Sequence, residues 1–393
     1  MKMQRRHFLG ALAVSGLGQT LAQGAPAEQK PSLVRTPLVL MAPRAEGIDA
    51  VWAVSRLSRG RIEWETEGAK GFAAADLFGF VPQGEKVLRV RLSGLKPGTA
   101  YRVRSHTFEA GETEAVVSEW KSFRTLDPAA ATAHFAMWND THVHNDTLRA
   151  LHEATPAVDF LVWDGDTCND WNKEELMAPT LLHPGERDIT VKRPLVIVWG
   201  NHDSRGPYAF KMPGMVTTPT GRPFYAFRAG PVAVICLHTG EDKPDDHPSF
   251  QGRVAFDVLR AEQARWLAQT IRQPEMREAP YRLVFCHIPL RWTDEGPQDY
   301  STTGYDRYSG RSRAAWHDWL VQWKTQVVIS GHTHKAAWLP PTTGFPYGQL
   351  VGGGPKLQEA TWMEGLADVS RLQLRLHNLE GSIVQDITLS PLA

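Results

Sequence analysis

The chain has 393 residues, of which 42% are apolar and 22% are charged, and this length allows two domains or one large domain with a small companion. Its 43 Lys and Arg residues equal its 43 Asp and Glu residues in number, so no strong overall field draws it to nucleic acid or to an anionic membrane. Three cysteines, Cys168, Cys236 and Cys286, are too few for a disulfide framework, and they lie in or beside apolar runs, which predicts buried core residues.

Residues 1–27 have the pattern of a targeting segment. Arg5 and Arg6 precede Phe8 and Leu9, and a mild apolar stretch and then small residues follow. This segment resembles a twin-arginine export signal, which implies a periplasmic or secreted protein. Its apolar stretch is too short and too rich in glycine to span a membrane, so we expect no transmembrane segment in the mature chain.

Residues from about 37 to 125 show an all-β pattern of short runs separated by turn residues. The predicted strands are Ala50–Val54, Arg61–Trp64, Val87–Leu92, Tyr101–Thr107 and Val116–Phe123. The turn Leu95–Ala100 and the Tyr101 that follows it resemble the turn before the sixth strand of fibronectin type III domains, where a Tyr hydroxyl ties a corner of the sandwich. We therefore expect a fibronectin III-like β-sandwich over residues 33–127, with a linker at Thr125–Thr132.

From residue 132 to residue 393, apolar runs alternate with segments of helical periodicity, which predicts a layered α/β domain. Ala261–Ile271 and Ala314–Trp323 show helical spacing, and the tail returns to alternating strands. Two long irregular stretches, Thr239–Gly252 and Arg291–Gly310, interrupt this pattern. Loops of that length inside a compact domain are usually functional or disordered.

Five apolar runs in this part of the chain end in carboxylates, amides or histidines. Continuous apolar runs predict strands buried on both faces, and open α/β sheets bind ligands at the carboxyl ends of their strands. An Asn-His pair at the end of a buried strand makes a poor core and a good metal site. The residues that follow the five runs are Asp140 and His142, then Asp166, then Asn201, His202 and Asp203, then His287, and finally His332 and His334.

Together with the glycines before them, these residues reproduce a known series of motifs. The series is Asp140-Thr141-His142, Gly165-Asp166, Gly200-Asn201-His202-Asp203, His287 and Gly331-His332-Thr333-His334. It resembles the motif series of the calcineurin-like metallophosphoesterases over residues from about 134 to 335. The resemblance implies a four-layer α/β/β/α sandwich with two metal ions. It assigns one metal to Asp140, His142, Asp166 and His334, and the other to Asp166, Asn201, His287 and His332.

The residue types suit a dinuclear metal centre. A carboxylate between two cations lowers their repulsion, and Asp166 is placed to be that bridge. Imidazoles together with carboxylates favour Zn, Mn or Fe over Mg or Ca, and the amide of Asn201 adds a ligand without adding charge. The family pattern also makes His202 the acid-base residue beside the metals, with Asp203 as its orienting partner.

A β domain in front of a phosphoesterase domain is similar to the arrangement in purple acid phosphatases, but the sequence departs from their pattern. Those enzymes have Gly at the position of His142 and a metal-binding Tyr at the position of Asn169. The tyrosinate ligand is therefore missing, and we expect no tyrosinate charge-transfer band with iron. His144 is predicted to be a solvated loop residue, and Asp164 and Asp170 to be hydrogen-bonding or surface acids.

These observations predict a secreted dinuclear-metal phosphoesterase that acts on small-molecule phosphate esters. The resemblance implies that a metal-activated hydroxide attacks phosphorus in line and that His202 assists the leaving group. A phosphodiesterase or nucleotidase of the same fold is the first alternative, because no residue outside the motifs distinguishes these substrates. A non-catalytic adhesion or binding protein is the second, but intact residues at every motif position argue against it. The sequence determines neither the metal nor the oligomeric state.

Overall fold

The front part of the chain consists of β-strands. The computed structural model describes residues 30–73, 79–296 and 306–393, so the predicted export signal lies outside the described residues. The strands of the front part are β1 Val39–Arg44, β2 Gly47–Ala53, β3 Ser58–Thr66, β4 Ala69–Phe72, β5 Gln83–Gly84, β6 Val87–Ser93, β7 Ala100–Glu109, β8 Val116–Val117 and β9 Lys121–Arg124.

The remainder of the chain alternates strands and helices, as the sequence predicts. Its strands are β10 Ala133–Asn139, β11 Phe160–Asp164, β12 Leu195–Val198, β13 Tyr225–Ala229, β14 Val232–Leu237, β15 Tyr281–Cys286, β16 Val327–Ser330, β17 Ala337–Leu339, β18 Gly348–Val351, β19 Thr361–Ala367, β20 Leu372–Asn378 and β21 Ile383–Leu389. Its helices are α1 Asn145–Ala154, α2 Met177–Leu182, α3 Met212–Met215, α4 Phe256–Thr270, α5 Pro274–Arg277 and α6 Gly310–Gln322.

The strands of the described residues form three sheets. The large sheet has nine strands in the order β21-β20-β19-β10-β11-β12-β1-β2-β6, in which β10, β11 and β12 run parallel. The second sheet has six strands in the order β13-β14-β15-β16-β18-β17, in which β14, β15, β16 and β18 run parallel. The third sheet contains β4, β3, β7 and β8, with β5 paired to β3 and β9 paired to β7.

Apolar side chains join the sheets and helices of the second part into layers. One face of the large sheet packs on α1, α2 and α3 through residues such as Leu148 and Leu181. Its other face packs on the second sheet, where Phe135 stacks on Phe160 at 5.2 Å between ring centroids and meets Phe285 edge to face at 6.3 Å. The outer face of the second sheet is covered by α4 and α6. The layers are therefore helix, sheet, sheet and helix.

The front part of the chain shares the large sheet with the remainder. Met41 of β1 pairs in parallel with Leu195 of β12, and β2 and β6 extend the sheet beyond β1. Val39 and Met41 face the core with α1 to α3, whereas Leu40 faces the core with the third sheet. Accordingly, Leu33–Ala393 forms one compact unit. The front sandwich thus consists of an edge of the large sheet and the third sheet, and its fibronectin III assignment and the predicted domain boundaries stay predictions.

The hydroxyl of Tyr101 is bonded to the turn before it, where the sequence predicts. It accepts a hydrogen bond of 2.9 Å from the backbone amide of Lys96. The Tyr101 ring stacks on Phe123 with centroids 5.7 Å apart and lies edge-on to Trp64 at 6.1 Å. The structure therefore confirms the predicted hydrogen bond between Tyr101 and the turn that precedes it.

The two long irregular stretches differ in what the structure describes of them. Thr239–Gly252 is described throughout and contains one short 3₁₀ turn, Pro248–Phe250. Arg291–Gly310 lies partly outside the described residues. Within the described ranges, no helix combines the length and the apolar character that crossing a membrane requires.

Candidate metal centre

The seven residues that the motif series assigns to metals come together at the carboxyl ends of two sheets. β10, β11 and β12 are neighbours in the large sheet, and β15 and β16 are neighbours in the second sheet, so the loops after these strands meet at one end of the layers. Six of the seven side chains are buried, and only His334 is well exposed, at 39% of its side-chain surface. The ligand cluster, as we call it, consists of Asp140, His142, Asp166, Asn201, His287, His332 and His334.

The described residues form three groups with metal-binding spacing at this site, and in each group the ligand atoms all lie within 4.8 Å of one another. Two groups belong wholly to the ligand cluster, Asp140 with His142 and His334, and Asp166 with His287 and His332; the third combines His142 and Asp166 with the neighbouring His202. Asn201 belongs beside the second group, because its Oδ1 lies 3.0 Å from Nδ1 of His332. Oδ2 of Asp166 lies 3.5 Å from Nε2 of His142 and 3.1 Å from Nε2 of His287. Asp166 therefore lies between the groups, as a bridging carboxylate must.

Two buried atoms in the ligand cluster, Oδ1 of Asp140 and Nε2 of His287, form no hydrogen bond of normal geometry among the described residues; they lie only at ion-pair distance from other cluster members, 3.2 Å from Nε2 of His334 and 3.1 Å from Oδ2 of Asp166 respectively. Oδ2 of Asp140, in contrast, accepts hydrogen bonds of 2.7 Å from the Asn139 side chain and from the backbone amide of His332. A carboxylate oxygen buried without a partner is costly, whereas a cation at that position compensates its charge. The free atoms of the cluster thus fit a pair of bound cations.

The backbone of the ligand cluster adopts a conformation that side chains rarely take. Five of its members have a positive φ, with values from 42° at His142 to 70° at His332. Such φ values cost of the order of 1–3 kcal/mol each and persist where the surrounding structure enforces them. The five residues are Asp140, His142, Asp166, His332 and His334.

Two glycines of the motif series lie so close to a neighbouring loop that no larger residue would fit. A Cβ atom at Gly200 would collide with the backbone nitrogen and Oδ1 of Asp166. A Cβ atom at Gly331 would collide with Oδ2 of Asp140. Each glycine therefore lets one loop lie directly against a carboxylate that follows a different strand.

Residues outside the motif series orient the histidines of the cluster. Oδ1 of Asn169 lies 3.1 Å from Nδ1 of His142, and the backbone oxygen of Asp164 lies 2.8 Å from Nδ1 of His287. Hydrogen bonds of this kind fix which ring nitrogen faces a metal. Asn169, at the position where purple acid phosphatases have a Tyr, thus supports a histidine of the cluster. Sequence reasoning missed this role of Asn169 and that of Asn139, because neither residue belongs to a motif.

The charges of the cluster hold its two carboxylates in the ionised form. Burial raises the pKa of Asp140, but the nearby His287, His142 and His334 outweigh it and keep that pKa well below its usual range. Burial acts on Asp166 in the same way, and the charge of His287 again brings its pKa below the usual range. Ionised carboxylates are the form that binds a cation.

His202 lies beside the ligand cluster in the 3₁₀ turn His202–Ser204. Its Nδ1 is within hydrogen-bonding distance of the backbone oxygen of Asn169 and of Oδ1 of Asp170, the latter at 3.0 Å. Burial lowers the pKa of His202, but the charge of Asp166 and the hydrogen bond to Asp170 raise it overall, to about 9. The ring therefore has a carboxylate partner on Nδ1 and presents Nε2 on its other side.

The predicted role of Asp203 as the orienting partner of His202 is wrong in its geometry. Asp203 is fully buried, and its Oδ2 accepts a hydrogen bond of 2.9 Å from the backbone amide of Gly200. Its Oδ1 accepts hydrogen bonds from the amide and hydroxyl of Thr167, at 3.1 Å and 2.5 Å. Asp203 therefore fastens the loop after β12 to the loop after β11, and the carboxylate at His202 is Asp170.

Arg205 joins His202 to the loop after β14. Its Nη1 lies 3.1 Å from Nε2 of His202, and its Nε and Nη2 donate to the Glu241 carboxylate at 2.8 Å and 2.7 Å. A second carboxylate, Asp242, lies 3.2 Å from Nη2. The Arg205 contact favours the neutral His202 ring, whereas Asp166 and Asp170 favour the imidazolium. Sequence reasoning did not single out Arg205 or Glu241, because no local pattern brings them together.

The remaining candidates lie outside the ligand cluster. His144 is an exposed residue directly before α1, as predicted. Cys168, Cys236 and Cys286 are buried free cysteines, and none of them belongs to a metal-binding group of the described residues. The predicted core role of the three cysteines is thus consistent with their burial.

Comparisons with known proteins agree with the chemistry of this site. A family model described as calcineurin-like phosphoesterase matches residues 133–336, which is more than half of the chain and includes the whole ligand cluster. The serine/threonine-protein phosphatase CPPED1 of Bos taurus is 26% identical over 270 residues, which cover 61% of this chain and 78% of that protein. CPPED1 of Homo sapiens is 28% identical over 265 residues, with the same coverage of both chains.

A solved structure shares the fold. The purple acid phosphatase PPD1 from seeds of yellow lupin (Lupinus luteus) aligns with a TM-score of 0.65 and 13% sequence identity. The alignment covers 90% of this chain and 75% of that chain. It therefore extends over parts of this chain beyond the span of the family match.

Proposed function

Because the chain belongs to the calcineurin-like phosphoesterase family, we propose that its ligand cluster holds two cations and that it hydrolyses small-molecule phosphate esters there. The family and the phosphatase relatives make the chain a metal-dependent hydrolase. One observation carries the proposal: Asp166 lies between two metal-binding groups of the described residues, in which Oδ1 of Asp140 and Nε2 of His287 are buried at ion-pair distance from other cluster members and form no hydrogen bond of normal geometry.

The two cation positions share one carboxylate. The residues that would hold the first cation are Asp140, His142, Asp166 and His334, and those that would hold the second are Asp166, Asn201, His287 and His332. Their imidazole, carboxylate and amide donors favour Zn, Mn or Fe. When bound, such a pair of cations supplies an activated water nucleophile and stabilises negative charge on the phosphoryl oxygens.

His202 acts on the leaving group. Asn169 and Asp170 hold Nδ1 of the ring, so Nε2 is the atom that donates a proton to the departing oxygen. Arg205 can donate a hydrogen bond to Nε2 of His202 only when Nε2 carries no proton, because a protonated Nε2 is itself a donor. Proton transfer from His202 therefore requires Nη1 of Arg205 to move away from Nε2 of the ring.

The front sandwich supplies no cation ligand in this proposal, since every residue of the ligand cluster follows a strand from β10 onward. We assign the sandwich to the fibronectin III class on the basis of the Tyr101 corner. Asn169 replaces the tyrosinate of purple acid phosphatases, so protein loaded with iron should show no tyrosinate band in its visible spectrum. A purple preparation would contradict the proposed ligand set.

The chain is exported through its N-terminal segment in this proposal. The support is the Arg5-Arg6 pair followed by an apolar stretch. Expression of the full chain in a bacterium with twin-arginine export should place the protein in the periplasm, and replacing both arginines by Lys should retain it in the cytoplasm. Periplasmic location of the double Lys variant would contradict this route.

One experiment tests the enzymatic proposal as a whole. The full chain is loaded separately with Zn, Mn and Fe, and turnover is measured on phosphomonoesters, phosphodiesters, nucleotides and a phosphoserine peptide. We expect turnover that chelators abolish and metal restores, with small monoesters among the substrates. Turnover of diesters alone would favour the phosphodiesterase alternative. Absence of turnover on all four classes with metal bound would contradict the proposed function.

A further inference from the structure

A cavity of about 850 Å³ lies beside the partners of His202, and neither His202 itself nor a residue of the ligand cluster lines it. Two of its lining residues contact the His202 ring, Asp170 at Nδ1 and Arg205 at Nε2. A group that leaves past Nε2 of His202 therefore departs next to this space. We call it the side cavity and define it by Trp199, Arg205, Phe210, Lys243, Arg253 and Phe256.

Aromatic side chains, among them Trp199, Phe210 and Phe256, form part of the wall of the side cavity. Trp199 is 8% exposed, and its Nε1 is buried without a hydrogen-bond partner among the described residues. Phe256 packs edge to face on His238 at 5.5 Å between ring centroids. Phe210 also lines the cavity, and 74% of its surface is exposed to solvent. Such surfaces favour a flat apolar ligand.

The charged groups that line the side cavity are mostly cationic. Arg205 and Lys243 are held from behind by Glu241 and Asp242, two buried carboxylates that do not line the cavity. Arg253 donates to the backbone oxygen of Phe250 at 3.1 Å and forms no ion pair with a described carboxylate. Arg253 therefore offers an uncompensated positive charge to a ligand.

We propose that the side cavity binds the leaving group of the substrate, and that this group is an aromatic ring carrying a negative charge. The inference rests on the proposed function, because it names the class of ester that the same site hydrolyses. Phe210 and Trp199 contact the ring, and Arg253 pairs with its charge. Small aliphatic phosphate esters leave the cavity empty and gain none of these contacts.

Three esters with similar leaving alcohols test the proposal, namely ethyl, benzyl and 4-carboxybenzyl phosphate. The metal-loaded full chain should show kcat/KM rising from ethyl to benzyl and again to 4-carboxybenzyl phosphate, mainly through KM. Phe210→Ala should reduce the benzyl-to-ethyl ratio of kcat/KM about 3- to 10-fold, the scale of one aromatic contact. Arg253→Gln should reduce the 4-carboxybenzyl-to-benzyl ratio about 2- to 5-fold, the scale of an exposed ion pair.

Two control variants place the same Arg→Gln change and a smaller apolar truncation away from the side cavity. Arg272→Gln and Val369→Ala alter exposed residues that do not line it, and both should keep the two ratios of the unaltered protein. Equal kcat/KM for the three esters, or an Arg272→Gln effect as large as that of Arg253→Gln, would overturn this inference and leave the proposed function intact. Turnover of none of the three esters would overturn the proposed function, and the inference with it.

Discussion

The ligand cluster and the surroundings of His202 are neighbours, yet they are built in different ways. Every member of the cluster lies a few residues after the end of a buried strand, and strand pairing within each sheet and the packing of the two sheets bring the members together. The partners of His202 are Asp170 in the loop after β11 and Arg205 in the loop after β12, and Arg205 is held in turn by Glu241 in the loop after β14. Groups that must share a cation are thus fixed by the sheets, whereas groups that adjust a proton or a leaving group are carried by loops that can vary.

The comparison predicts different losses when each region is altered. His202→Ala should keep the cluster intact and lower turnover of an alkyl phosphate ester about 10²- to 10⁴-fold, the usual contribution of a general acid. The loss should shrink on 4-nitrophenyl phosphate, because nitrophenolate leaves without protonation. His144→Ala, a change of an exposed histidine, is the control and should leave both rates unchanged. Equal losses on the two esters would give His202 a role in binding the phosphoryl group instead.

Asn139 tests the other region, since its side chain holds Asp140 through a 2.7 Å hydrogen bond. Asn139→Ala should weaken metal affinity about 10- to 100-fold, as loss of a group that orients a ligand typically does. Activity should recover at high metal concentration. Titration of the metal-free protein measures this affinity, and Asn378→Ala is the control away from the cluster. Unchanged affinity in Asn139→Ala would show that the strand ends alone fix Asp140.

Two carboxylates near His202 have different roles. Asp203 follows His202 in the chain and ties loops together, whereas Asp170 contacts the His202 ring. Asp203→Ala removes charged hydrogen bonds to two loops and should lower the free energy of unfolding by about 1.5–3 kcal/mol. Asp170→Asn should leave stability unchanged and reduce alkyl ester turnover by less than the roughly 10²-fold that loss of the acid itself costs. Denaturant unfolding and the two-ester assay measure both variants. An alkyl-specific loss in Asp203→Ala alone would restore Asp203 as the partner of His202.

The Tyr101 corner belongs to neither region and gives the smallest expected effect. Tyr101→Phe removes one hydrogen bond to the Lys96 amide and should lower the free energy of unfolding by about 1 kcal/mol. Turnover should stay nearly unchanged, because the front sandwich supplies no member of the ligand cluster. A large fall in turnover with stability intact would connect the sandwich to the active site.

The ligand cluster could be predicted from the sequence because each member has a local signature. A buried apolar run followed by Gly and a ligand residue appears at Asp166, Asn201 and His332, and the structure explains the glycines by close approach at Gly200 and Gly331. The layered α/β architecture followed from the alternation of runs and helical segments. These features depend on neighbours in the chain, which a sequence displays.

Long-range features could not be predicted in the same way. β1, Val39–Arg44, was absent from the predicted strands, and its side chains serve two cores because it joins the large sheet through β12. The hydrogen bond from Thr167 to Asp203 and the ion pair of Arg205 with Glu241 link loops that are 36 residues apart. No periodicity or motif encodes such a contact, since it arises only when the sheets are assembled.

The central claim is that seven residues hold two cations and that His202 beside them is not a ligand. The metal content of the purified, metal-loaded full chain tests it most directly, measured for the unaltered protein, Asn201→Ala and His202→Ala. We expect about two metal ions per chain in the unaltered protein and in His202→Ala, and fewer in Asn201→Ala. A chain that retains no metal, or a His202→Ala variant that loses metal as Asn201→Ala does, would contradict the account.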